Sequence, residues 1–319
     1  MARKYYKPTS PGIRHRVRLT WDTEGGDLTV PKHLRSSKHQ SGGRNNRGRI
    51  TSYHRGGGNK RFLRTISTPR SLYALDGTSL PYAHGTVLGI QYDPGRTARI
   101  ALIQPLPVQN LLLPNGELKS FTLAPSSTLP FYQIATKSLS VGNTVTWIMD
   151  YLASREIIIS LPTVSNGSTL FLRDIPRGQS VCDIELAPYG GGKRARSSGT
   201  HAVVQDKTDD HATLRLPSGE VRRIPSRCRA VLGSIGGEDH ALEVIGKAGL
   251  NRHRSKRPKV RGCAMNPIDH PHGGRTAGGR PTMTPWARVA KGKPTSKHRS
   301  VFVVLSSRAS KAKNARSKS

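Results

Sequence analysis

The residues best suited to chemistry stand together in Met265-Asn266-Pro267-Ile268-Asp269-His270-Pro271-His272-Gly273-Gly274. Asp269 beside His270 has the types needed for a general base and its orienting carboxylate, and two imidazoles invite a metal. Neighbours on an extended, proline-containing segment point in different directions, however, and no further ligand lies at a standard metal spacing. The simpler reading is that His270, His272 and Asp269 hydrogen-bond to a partner or fix the loop. Two prolines and two glycines in ten residues exclude a regular helix or central strand. The segment is therefore expected to hold its shape against that partner.

Other catalytic patterns are missing. Gly192-Lys193, Gly246-Lys247 and Gly292-Lys293 resemble the end of a phosphate loop, but Ala187, Ala241 and Ala287 stand where its first glycine belongs, and Arg194, Ala248 and Pro294 replace the Ser or Thr. There is no nucleophile elbow, zinc-binding His-Glu-x-x-His or dinucleotide fingerprint. Cys182, Cys228 and Cys263 lack the short spacing of a zinc or redox motif and read as reduced thiols. No cofactor or metal is expected, and no enzymatic activity.

Charge indicates the partner. The 319 residues carry 52 Lys and Arg against 19 Asp and Glu, a net charge of +33. Residues 1–70 hold 17 basic and 3 acidic residues, and residues 251–319 hold 18 basic residues and the single acid Asp269. The stretch 71–250 is nearly balanced, with 17 and 15. Two cationic arms on a neutral body fit a phosphate backbone. A membrane surface would need an amphipathic helix with Trp, Phe or Leu on one face, whereas these arms are rich in Gly, Pro, Ser and Asn. No apolar run reaches the length of a membrane span.

The elements that must position these groups are short strands. Thr86–Tyr92, the turn Asp93-Pro94-Gly95 and Ala98–Ile103 read as a hairpin. Further strands are expected at Ser120–Leu123, Thr144–Met149, Glu156–Leu161, Val181–Leu186, Ala212–Leu216 and Glu220–Ile224, with Leu214 and Leu216 facing inward. Residues 239–245 are expected to form a short helix stopped by Gly246. In the arms, Ser41-Gly42-Gly43-Arg44-Asn45-Asn46-Arg47-Gly48-Arg49-Ile50 and His54-Arg55-Gly56-Gly57-Gly58-Asn59-Lys60-Arg61 mix glycine, which permits close backbone approach, with arginine, which binds phosphate bidentately. Such arms are too polar to bury a core and are expected to be extended or disordered alone.

These blocks resemble one family, the universal second protein of the large ribosomal subunit. The similarity runs in order through Lys7–Gly12, Ser41–Thr51, His54–Gly58, Tyr92–Ala98, Leu216–Arg222, Gly246–Gly249, Val260–Gly262, Met265–Gly274 and Thr284–Trp286, leaving out about 104–170. The resemblance implies an all-β architecture: an oligonucleotide-binding-type barrel, then an SH3-like barrel, with long basic arms. It implies a structural constituent that binds large-subunit ribosomal RNA near the peptidyl-transferase centre and supports subunit association and transfer-RNA binding. Implied partners are that RNA, other ribosomal proteins and small-subunit RNA at an intersubunit contact, with no membrane. The first histidine of the family's His-Pro-His segment, His270 here, has been proposed to matter for peptide transfer. The acid that usually follows that segment is absent from Gly273–Arg280.

The expected organisation is an arm over 1–70, a first barrel over 71–172 carrying a divergent insertion, an SH3-like barrel over 173–250 and an arm over 251–319. Candidate RNA contacts in the first arm are Arg44, Asn45, Asn46, Arg47, Arg49, His54, Arg55, Lys60 and Arg61. Lys193, Arg194 and Arg196 join them from the second barrel. The last arm supplies Arg252, Arg254, Lys256, Arg257, Arg261, Asn266, Asp269, His270, His272, Arg275 and Trp286. The drifted sequence points to a mitochondrial ribosome, with a plastid or bacterial ribosome as the alternative; because the similarity starts at Lys7, no transit peptide is expected, and in the mitochondrial case the organelle would encode the protein or the signal would be internal. The alternative function is an RNA-acting enzyme using Asp269 and His270. A chromatin-like polycation is disfavoured by the neutral β-rich middle.

Overall fold

β-Branched runs bounded by Gly, Pro and Asn turns do form short strands here. The computed structural model describes all residues except 1, 21–28, 68, 70, 113–117, 152, 153, 155–163, 275–280, 292–299, 308 and 311–319. Ahead of the barrels, β1 (Ala2–Tyr5) pairs antiparallel with β2 (Val17–Thr20), and β3 (Arg35–Ser37) with β4 (Phe62–Arg64).

The first barrel uses β5 (Tyr82–Gln91), β6 (Ile100–Pro105), β7 (Val108–Leu112), β8 (Leu118–Thr122), β9 (Phe131–Ile134) and β10 (Thr144–Ile148). The expected hairpin is β5–β6, antiparallel from Gly85↔Pro105 to Gln91↔Ile100. The register shifts between Val87 and Gly89, and Leu88 at that bulge turns outward. The stretch expected to be a divergent insertion supplies β7 to β10. Trp147 fills the core, fully buried, edge-on to Phe131 at 5.0 Å and donating from Nε1 to Gln133 Oε1 at 3.1 Å. Gly85 admits that ring, because a Cβ there would lie 2.4 Å from it. The strand expected at Glu156–Leu161 lies outside the described residues.

The second barrel uses β11 (Thr169–Phe171), β12 (Ser180–Cys182), β13 (Ile184–Glu185), β14 (Gly192–Arg194), β15 (Ala202–Lys207), β16 (His211–Arg215), β17 (Val221–Pro225), β18 (Arg229–Leu232) and β19 (Val303–Leu305). Leu214 and Leu216 are buried, as alternation requires. The expected continuous strand Val181–Leu186 is broken instead. Asp183 takes φ +48°, so β12 pairs with β15 and β18 while β13 pairs with β14. The helix expected at 239–245 is a 3-10 turn over Glu238–Leu242. An eleven-stranded sheet runs β19-β17-β16-β15-β12-β18-β11-β10-β5-β6-β9, and the parallel pairing of β10 with β11 at Trp147↔Thr169 carries one barrel into the other. The fold is thus all-β, an oligonucleotide-binding-type barrel followed by an SH3-like barrel.

The chain divides into two compact units. One comprises Met1–Lys38, Arg61–Val244 and Val301–Ser319 and includes both barrels. The other comprises His39–Lys60 and Ile245–Ser300. No helix among the described residues is long and apolar enough to cross a membrane.

Candidate nucleic-acid interface

The second unit contains 19 Lys and Arg and one acid, Asp269. With so little apolar sequence, its shape comes from main-chain hydrogen bonds. Asn45 Oδ1 accepts from the amides of Arg47 at 3.0 Å and Arg49 at 2.9 Å, closing a loop that leaves Arg44, Asn46, Arg47 and Arg49 exposed. The Asn45 oxygen is thereby committed to the loop rather than to a base. Gly43, at φ +83°, accepts from Thr51 and Ser52, and a Cβ there would lie 2.3 Å from the Ser52 carbonyl.

The glycine triplet then lies against the start of the last arm. Arg55 bridges Lys256 antiparallel, and Gly56 N–H donates to Ser255 O at 2.9 Å. Arg257 N–H donates to His54 O at 2.9 Å, and Asn59 N–H to His253 O at 3.0 Å. The short helix α1 (Ala248–His253), which sequence reasoning missed, brings Arg252 and His253 to this seam. Its six residues are too few for a periodic pattern. Arg252, Arg254, Lys256, Arg257 and Arg261 are exposed, and His54 Nδ1 lies 3.4 Å from Pro258 O.

The Met265–Gly274 loop corrects an expectation. Its shape is held from within. Asp269 and His270 amides donate to Asn266 O, and Gly273 N–H donates to His270 O at 2.8 Å. His270 is 7% exposed, its ring packs on Gly262, and its Nδ1 accepts from the His272 amide at 3.0 Å. A Cβ at Gly262 would lie 2.5 Å from that ring. His272 Nε2 lies 3.0 Å from the Met283 amide and from the Pro281 carbonyl, so it ties the loop to the following segment. Asn266, Ile268 and Asp269 are exposed. Asp269 and His270 therefore do not share one reaction centre: the carboxylate faces outward and the imidazole inward. Trp286 is 69% exposed on a turn closed by Thr284 and Arg288. Arg275 lies outside the described residues.

The remaining candidates lie in the unit with the barrels. Lys193 and Arg194 are exposed on β14, and Arg61 Nη1 donates to Pro94 O at 3.3 Å. Arg196 Nε stands 2.9 Å from Asp183 Oδ1, an ion pair without hydrogen-bond alignment. Burial pushes the Asp183 carboxyl up, opposed by Arg196 and Arg96. Glu185 and Arg229 pair at 3.5 Å, both buried. All three cysteines are free, with Cys182 and Cys228 buried and Cys263 exposed. Burial raises both inner thiols. No cluster of three potential metal ligands occurs among the described residues.

Paired β-barrels in one unit and, in the other, 19 cations beside one acid with an exposed tryptophan have the composition of a nucleic-acid-binding protein. Residues 31–146 match the family described as Ribosomal Proteins L2, RNA binding N-terminal domain, and residues 165–291 match its C-terminal domain. The large ribosomal subunit protein uL2 of Rhodopirellula baltica is 42% identical over 302 residues, covering 94% of this chain and 92% of that protein. The chain belongs to the uL2 family of large-subunit ribosomal proteins. That relative is bacterial, the setting named above as the alternative; the mitochondrial expectation finds no support in it.

Proposed function

We propose that the chain is a structural constituent of the large ribosomal subunit, that it holds ribosomal RNA through residues 39–60 and 245–300, and that it is not an enzyme. The observation that carries this reading is the concentration of 19 cations beside a single acid, on a unit ordered by main-chain pairing. Phosphate contacts from Arg44, Arg47, Arg49, Arg55, Lys60, Arg252, Arg254, Lys256, Arg257 and Arg261 would position the RNA. Trp286 and the exposed Asn46 and His54 would meet bases or ribose hydroxyls. Lys193, Arg194, Arg196, Arg61 and, from sequence alone, Arg275 would extend the contact.

His270 serves in this reading as an internal brace, with His272, for the exposed Asn266–Asp269 tip. Against the acid–base alternative stands the burial of His270, whose Nδ1 accepts from the His272 amide, beside an exposed Asp269. A place near the peptidyl-transferase centre and at the subunit interface follows from the resemblance, and a preshaped loop suits it, because a site in RNA is better met by a rigid tip than by a floppy one. The bacterial relative favours a bacterial-type ribosome. The barrels are proposed to span about 71–172 and 173–250, with β11 (Thr169–Phe171) and β19 (Val303–Leu305) adding to the second from outside that range.

The test is reconstitution of large subunits from purified components with a chain whose Arg44, Arg47, Arg49, Arg254 and Arg261 are replaced by Gln. Loss of the variant from sedimenting particles, with its β-sheet circular dichroism retained, is expected. Normal incorporation would reject the reading.

A further inference from the structure

Two cavities of about 330 Å³ lie among the polar surfaces, and they differ in charge. The one beside β14 is lined by Arg196 and Arg229, but Asp183 and Glu185 already face those guanidiniums. The other, wholly within the second unit, is lined by Gly56, Gly57, Gly58, Asn59, Arg252, His253, Lys256 and Arg257. No carboxylate lines it, and Arg252, Lys256 and Arg257 make no ion pair with a described acid.

We infer that this second cavity receives one unstacked RNA nucleotide, its phosphate on Arg252, Lys256 and Arg257 and its sugar and base over the glycine floor. The inference rests on the RNA-binding reading above and gives that reading a discrete site. The volume lies at the small end of ligand pockets, about 300–1,000 Å³, which suits a single nucleotide and not a duplex. Three cations, Arg252, Lys256 and Arg257, are among the residues that line it, and a phosphodiester is the anion such a set takes. His253 and Asn59 also line it, with His253 Nδ1 3.0 Å from Asn59 Oδ1, so that this polar pair is fixed in place. Gly56, Gly57 and Gly58 add no side chain to the lining. A Cβ at Gly57 would meet nothing within 4 Å, so the space above it is open, whereas Gly58 is packed against Ser255. The walls are set before RNA arrives by the Gly56–Ser255 and Asn59–His253 main-chain bonds and by Ser255 Oγ donating to Gly57 O at 3.0 Å. Little ordering is then left for binding to supply.

Gly57 offers a clean test because it can be filled without removing a charge or straining the backbone. Full-length wild type, Gly57→Ala, Gly57→Leu and Lys256→Gln are titrated against purified bacterial large-subunit ribosomal RNA over a range of salt, and the bound RNA is probed chemically for backbone and base reactivity. Gly57→Leu is expected to weaken binding about tenfold with an unchanged salt dependence, Gly57→Ala less, and both to restore stacked-base reactivity at one nucleotide. Lys256→Gln is expected to lower the salt slope by about 0.7–0.9. Wild-type affinity and an unaltered reactivity pattern for Gly57→Leu, while wild type binds the RNA, overturn the nucleotide site and leave the RNA-binding reading standing. Failure of wild type to bind overturns both. Circular dichroism of each variant separates misfolding from a filled cavity, and if Gly57→Leu does not fold, an unchanged pattern for Gly57→Ala and Lys256→Gln together rejects the site.

Discussion

The barrel unit and the cationic unit of this chain are held together by different physics. The barrels bury Trp147, Tyr82, Tyr132, Phe171 and a large aliphatic set between short strands. Among the described residues of the unit made of His39–Lys60 and Ile245–Ser300, His270 is the one buried side chain, and turns, glycines and paired main chain shape the rest. Charge divides the same way. That unit has one acid, Asp269, whereas 18 of the 19 acids belong to the barrel unit, where buried Glu185 and Asp183 face arginines. The lesson is a separation of duties. A hydrophobic core supplies stability without reference to RNA, and a core-free cationic unit can present nearly every side chain to a polyanion. The second arrangement carries its own self-repulsion, which a polyanion would relieve.

The contrast can be broken most severely at Trp147. Trp147→Ala opens a cavity in the first barrel and is expected to cost about 3–5 kcal/mol, read as a lower urea midpoint by circular dichroism. A shift under about 1 kcal/mol would mean that the barrel core is not the source of stability claimed for it. An intermediate effect is expected at Trp286, in the other unit. Trp286→Ala should leave the urea midpoint unchanged, because the ring is 69% exposed, and should weaken ribosomal RNA binding by about 1–3 kcal/mol through lost stacking. Loss of stability instead would put Trp286 in a core the structure does not show.

The smallest effect concerns pH. His84 Nδ1 lies 2.9 Å from Thr146 Oγ1 on the first barrel, and burial holds this imidazole below its ordinary value. The unfolded chain then binds the proton more readily than the folded one, so stability is full above about pH 6.5 and falls as pH drops through the lower, folded value. His84→Gln should flatten this slope in urea titrations at pH 5 and pH 7.5. A wild-type slope in the variant would assign the dependence to another group.

Much of this was legible in the chain itself. The turn signal at Asp93-Pro94-Gly95 placed a hairpin, and alternation placed Leu214 and Leu216 inside. Where the reading missed, a local rule was overridden by a distant partner. The run Val181–Leu186 alternates like one strand, but Asp183 turns the backbone to meet Arg196, thirteen residues away. Met265–Gly274 has no internal periodicity, so its order was ascribed to RNA, whereas His270 folds the loop about its own ring. The helix over Ala248–His253 is too short for a pattern to announce it.

Composition and order alone determined that this chain is a neutral β-rich body with cationic extensions and that its partner is a polyanion, because charge and turn chemistry are properties of residue type. Only the folded chain decided that Gly56–Asn59 meets Arg252–Arg257 across nearly two hundred residues, that Asn45 and His270 spend their side chains on loops, and that Asp269 and His270 face apart. Those outcomes depend on which backbone groups find each other in space, and a hydrogen bond between distant segments leaves no mark on the local sequence of either.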